Sequence, residues 1–212
     1  MFSSGKLRTA GITLLLAAGA LVGTAGTASA TPPGIPSASA AATQLAALTV
    51  AADGPMDGYS RDEFPHWHTV DGSCDTREEV LKRDGDGVEV GTDCAADTGS
   101  WTSPYDGETW TATSDVDIDH MVPLAAAWRS GAASWTTAER EAFANDLDGP
   151  QLWAVTDNVN QSKGDQTPDT WKPPLESAWC EYARAFIQVK STYDLTVNTT
   201  EKAALSDMLG TC

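Results

Sequence analysis

Four cysteines behind an export-type leader constrain this chain more than any other feature. Lys6 and Arg8 form a basic start, and Gly11 to Val22 is an apolar stretch. Ala28-Ser29-Ala30 is a small-residue cleavage pattern, so residues 1–30 read as a signal peptide. The apolar run is shorter than the ~20 residues of a spanning helix, which argues against a stable membrane anchor. In an oxidising compartment, Cys74, Cys94, Cys180 and Cys212 are an even set that can pair fully. They lack the C-x2-C spacing of a zinc site. The pairing Cys74–Cys94 with Cys180–Cys212 closes two short local segments, each worth about 2–4 kcal/mol through the unfolded state. The chain is therefore expected to be secreted and disulfide-pinned.

Residues 31–56 are rich in Ala, Pro, Ser and Thr and carry a single charge, Asp53. That composition reads as a propeptide or flexible linker. The folded unit is expected over residues 57–212, long enough for one core. Its first half is rich in Gly and Asp, with Trp67, Trp101 and Trp110 as anchors and a short helix over Thr76 to Arg83. Val116 to Val122 alternates like a strand. Leu124 to Arg129 reads as a helical turn, and the Thr136…Glu139 capping box starts a second helix. Gln151 to Thr156 reads as another strand. Tyr182, Phe186, Val189 and Tyr193 recur at helical spacing. Asn198 with Glu201 caps a last helix. The fold class is α+β.

The net charge is −17, and loss of Lys6 and Arg8 with the leader takes it to about −19. A polycationic nucleic-acid coat protein is excluded. Residues 84–119 hold ten carboxylates and no Lys or Arg. A calcium loop over 84–97 is one reading, but the EF-hand spacing is missing. A solvated acidic face is the other.

Chemistry concentrates around His120, which directly follows Asp119, with Asp117 two residues earlier. Pleat alternation puts the two aspartates on one face and Ile118, His120 and Val122 on the other. Where the strand ends, Asp119 and His120 can converge on one site from two sides. A carboxylate oxygen suits Mg2+, Mn2+ or Ca2+. A neutral imidazole can take a proton from water. Together they suit metal-assisted hydrolysis of a phosphodiester. The plainer alternative is a histidine that caps a strand beside an aspartate. Downstream, Asn160 offers a neutral hard oxygen, Lys163 can face a phosphate, and Gly164 permits close backbone approach. Alone, that segment is also an ordinary polar turn. His66 and His68 lack further ligands nearby and read as structural or surface residues. Positive charge for a nucleic acid would have to come from Lys163, Lys172, Arg129, Arg184 or Lys190.

The two halves, Asp117-Ile118-Asp119-His120-Met121-Val122-Pro123-Leu124 and Ala154-Val155-Thr156-Asp157-Asn158-Val159-Asn160-Gln161-Ser162-Lys163-Gly164-Asp165, together resemble the HNH branch of the His-Me finger nucleases. The resemblance is to secreted HNH-family proteins of actinobacterial type. It extends to Tyr59–Trp67, Cys74–Arg77, Trp101–Tyr105, Ala127-Trp128, Phe143–Leu147 and Trp179-Cys180. It implies a ββα-metal core with a helical insert, C-terminal helices and disulfide-pinned loops. His120 would be the general base and Lys163 a phosphate or leaving-group contact. Asp119 and Asn160 would hold one divalent ion, Mg2+ foremost, with Mn2+ or Ca2+ as alternatives. Gln151 stands where such motifs place a loop-bracing Asn, and its amide keeps the same donor and acceptor. Asp117 is either an outer ligand or a solvated strand residue. The implied function is a secreted, monomeric, metal-dependent endonuclease of low sequence specificity, acting on DNA, with RNA as a second substrate. The rival from another class is a non-catalytic cell-envelope or calcium-binding module on the same fold.

Overall fold

The computed structural model describes residues 1–2 and 31–212. Nearly all of the expected signal peptide, residues 1–30, lies outside the described residues. Among the described residues, no helix is long and apolar enough to cross a membrane.

The chain runs α1 (Ala38–Ala47), β1 (Thr69–Asp71), β2 (Cys74–Asp75), α2 (Thr76–Asp84), β3 (Asp86–Val90), β4 (Ala96–Thr102) and β5 (Thr109–Trp110). It continues through β6 (Val116–His120), α3 (Leu124–Arg129), α4 (Thr137–Ala144), β7 (Leu152–Thr156), α5 (Asp157–Lys163), α6 (Trp179–Thr192) and α7 (Thr199–Leu209). The fold is α+β, with three small antiparallel sheets among the described residues: β1-β2, β3-β4-β5 and β6-β7. The disulfides are Cys74–Cys94 and Cys180–Cys212.

The β6-β7 pair is buried on both faces. Val116 pairs with Thr156, Asp119 with Trp153 and His120 with Leu152. Trp153 and Val155 join a large core with α1, α3, α4, α6 and α7. Leu152 and Ala154 turn the other way, toward Val116, Ile118, Val80, Leu81 and Trp101. This explains why β7 is apolar at nearly every position instead of alternating. The second core depends on close approach: Trp101 Nε1 donates to the Leu81 carbonyl at 2.8 Å. A Cβ on Gly85 would lie 2.5 Å from that indole nitrogen, so the turn from α2 into β3 takes only glycine.

Helix starts follow local chemistry. Asp75 with Glu78, Thr136 with Glu139 and Asn198 with Glu201 form reciprocal capping boxes on α2, α4 and α7.

The linker expected over 31–56 is corrected. Residues 38–47 form α1, whose Ala41 and Leu45 are buried against α6 and α7. Arg184 Nε donates to the Pro36 carbonyl at 2.6 Å, and Gln44 Nε2 to Gln188 Oε1 at 2.7 Å. Val50 bridges Val197. An alanine-rich stretch resembles a linker by composition, yet alanine is the strongest helix former. Ala41 and Leu45, four apart, put an apolar edge on one side. We expect Leu45→Ala to lower the unfolding free energy of residues 31–212 in urea by about 2–4 kcal/mol. An unchanged midpoint would mean that α1 is not part of the folded unit.

Candidate active site

β6 delivers its side chains to a turn held by Gln151. Met121 N donates to the Gln151 carbonyl at 2.7 Å. The Gln151 side chain, wholly buried, accepts from Val122 N at 3.1 Å and donates to the Val122 carbonyl at 3.0 Å. The amide thus mimics a strand neighbour just where the ladder ends.

α5 follows β7 directly and lies against the aspartate face of β6. Asn160 Nδ2 donates to Asp117 Oδ2 at 3.0 Å, and Lys163 Nζ donates to Asp119 Oδ2 at 2.6 Å. Residues three apart share a helix face, and residues two apart share a strand face. The two bonds therefore register the helix on the strand. Gly164, at φ +53°, lets the chain leave the helix immediately afterwards.

Asp119, buried, also accepts from the Tyr105 hydroxyl at 2.6 Å. Both side-chain bonds fall on Oδ2, so Oδ1 remains the free acceptor. Asn160 spends Nδ2 on Asp117, which turns its carbonyl oxygen away from that strand. Burial raises the Asp117 pKa, the Asn160 bond lowers it, and the neighbouring Asp157 raises it again.

His120 is fixed by the helical insert between the two strands. Its Nε2 lies 2.9 Å from the carbonyl oxygen of Ala144, in the last turn of α4. A carbonyl can only accept, so Nε2 carries the hydrogen and Nδ1 the lone pair. The Trp67 indole stacks on the ring, with centroids 5.5 Å apart and planes at 28°. Trp67 holds φ +59°, a left-handed conformation uncommon for a bulky side chain. Asn145 locks that loop beside α4 by donating to the Pro65 carbonyl and accepting from His68 N. Burial pushes the His120 pKa down to about 3, with further lowering by nearby Arg61 and His66. The ring is therefore neutral at any ordinary pH.

Asp119, His120 and Asn160 line one cleft of about 270 Å³, together with Tyr59, Arg61 and Asp165. Asp117 and Gln151 support its walls from behind. Lys163 is a correction. It is fully buried, and its ammonium donates to Asp119, to the His120 carbonyl at 2.9 Å and to the Met121 carbonyl at 3.2 Å. All three donors are used within the protein, so it cannot face a phosphate from the cleft. The other expected cations are engaged too. Lys190 is buried against Glu201, Arg184 bonds Pro36, Arg129 pairs with Asp165, and Lys172 lies over Trp179.

Residues 84–97 run from the end of α2 through β3 to the start of β4, and Asp84 accepts from Arg83 and from Ala154 N. Among the described residues, the only cluster of three ligand-type atoms is Cys74, Glu79 and Cys94, and its two sulfurs are already joined. Sequence reasoning left Tyr105 and Arg61 without roles and gave Trp67 only that of an anchor, with no link to His120. Tyr105 carries no local signal, because its partner is fourteen residues away.

The fold and cleft define a class: a secreted, disulfide-bonded α+β domain in which two antiparallel strands and a helix gather an imidazole, a carboxylate and an amide. Residues 92–208 match the family described as GmrSD restriction endonucleases, C-terminal domain. The match covers more than half of the chain, and the chain belongs to this family. It is also 66% identical over 182 residues to an "Uncharacterized secreted protein" of Arthroderma benhamiae, covering 86% of this chain and 89% of that one. No solved structure matches. The protein is secreted, as its leader and paired cysteines led us to expect.

Lys163→Met should lower stability by about 3–5 kcal/mol in chemical denaturation, because it leaves Asp119 buried and unpaired. Adding Asp119→Asn should recover part of that loss. A single variant as stable as the parent would refute the importance of the pair. His120 gives a second expectation. Unfolded, the ring takes a proton below about pH 6.5. Folded, it does so only near about 3. The group therefore destabilises the fold as pH falls through that window and has no such effect above it. Its NMR signals should not titrate between pH 8 and 5, and Trp67→Ala, which uncovers the ring, should move the midpoint upward.

Proposed function

We propose that this protein is an exported, divalent-metal-dependent endonuclease of the HNH type, hydrolysing phosphodiester bonds of DNA with little sequence preference and RNA as a second substrate. One observation carries the reading: Asp119, His120 and Asn160 line a single cleft, with the histidine's Nε2 already committed to a backbone carbonyl. Membership of a restriction-endonuclease domain family supports it.

The residues present fit a hard cation. Asp119 offers a carboxylate oxygen not used in hydrogen bonding, and Asn160 a neutral amide oxygen. Two protein oxygens, with water and substrate completing the shell, suit Mg2+, with Mn2+ and Ca2+ as alternatives. Bound there, the ion would supply positive charge to a phosphoryl oxygen and to the leaving oxygen. Asp117 acts one step back by fixing which end of the Asn160 amide faces inward. His120 Nδ1 takes the proton from the attacking water. The Ala144 carbonyl steadies the ring as positive charge develops on it. The burial that keeps this ring unprotonated also makes it a weaker base than a free imidazole. Lys163 keeps Asp119 oriented and takes no part in contacting substrate.

Purified residues 31–212 should nick supercoiled plasmid in Mg2+ or Mn2+, and EDTA should abolish this. His120→Ala should lower the rate by about 10²–10⁴-fold, the range of a lost general base. Asn160→Ala should lower it by at least about tenfold. No cleavage with any divalent ion would return the protein to the rival reading, a binding module with an idle site.

A further inference from the structure

With Lys163 buried, the cleft needs another cation to meet a phosphodiester. We infer that Arg61 binds a phosphate of the nucleic-acid backbone and that His66 positions it, an inference that rests on the nuclease reading above. Arg61 is the only Arg or Lys that lines the cleft among the described residues. Its Nε donates to His66 Nε2 at 3.3 Å. The His66 Nδ1 lies 2.7 Å from the Phe64 carbonyl oxygen. That carbonyl can only accept, so Nδ1 carries the ring hydrogen and Nε2 must be the acceptor. The imidazole therefore reads as a strut between a buried core residue and the guanidinium. Phe64 is itself anchored among Trp128 and Phe143.

Among the described residues, no carboxylate forms an ion pair with Arg61. Arg77 is spent on the Thr113 and Val116 carbonyls, and Arg83, Arg129 and Arg140 on Asp84, Asp165 and Glu63. Arg61 is exposed, and its two Nη groups keep a planar fork of donors suited to two phosphate oxygens. Its charge is close enough to His120 to lower that ring's affinity for a proton. In a chain of net charge −17, long-range attraction cannot recruit DNA, so one well-placed guanidinium at the cleft acquires unusual weight. The segment that carries it precedes the family match, which begins at residue 92.

The test uses residues 31–212 with His120→Ala in Mg2+, so that binding is read without cleavage. The probe is a short fluorescein-labelled DNA duplex, followed by anisotropy across a KCl series. Adding Arg61→Ala should raise Kd about tenfold and flatten the salt slope by about 0.9, the share of one phosphate contact. Arg61→Lys should restore most of the slope, and His66→Ala should lose part of it. Lys82→Ala, on α2, changes net charge equally and should leave the slope alone. In the His120 parent, Arg61→Ala should raise KM for duplex cleavage more than it lowers kcat. If the parent cleaves while Arg61→Ala binds with unchanged affinity and slope, Arg61 is not a phosphate contact and the nuclease reading survives. If the parent neither binds nor cleaves, both readings are overturned.

Discussion

The structure turns on a buried ion pair, Lys163 with Asp119. Its ammonium binds one carboxylate oxygen and two backbone carbonyls at the point where β6 stops being a strand. Without it, three acceptors would face a dry interior and α5 would lose its fixed seat on the hairpin. Such pairs add little net stability over apolar substitutes, but breaking one is costly. Here the pair also sets direction. By occupying Oδ2 together with Tyr105, it leaves Oδ1 of Asp119, a residue that lines the cleft, free to accept.

Around this point the rest of the chain acts as scaffolding. The hairpin separates two apolar cores and cannot shift register without exchanging their contents. The helical insert is more than a long connection, because its last turn presents the Ala144 carbonyl to His120 and its next residue, Asn145, ties down the loop bearing Trp67. The site therefore draws on residues from 59 to 165, although its chemistry lies on two short segments.

Local features were legible in the sequence wherever the rule is local. Capping boxes marked the starts of α4 and α7, and the alternation of Val116 to Val122 marked a strand that carries Asp119 and His120. Bringing His120 and Asn160 to one cleft required the family resemblance, since some forty residues separate them. Burial was not legible. A lysine three residues after an asparagine can face solvent or core, and only the packing of α5 decides. The same gap misplaced Lys190 and hid α1, whose composition suggests slack while its contacts show a packed helix. Trp67 needed a left-handed backbone that no residue-type rule assigns to tryptophan.

The two disulfides close segments of 20 and 32 residues. Every incorrect arrangement of the four thiols would include a link at least as long as that from Cys94 to Cys180, a separation of 86. Chain-closure entropy disfavours that longer link by about 1 kcal/mol relative to the 20-residue one. As the polypeptide emerges from the membrane, each cysteine after the first of its pair meets its proper mate before any distant competitor. Oxidation can thus proceed in order of emergence, and the native cross-links call for little help from a thiol-shuffling catalyst.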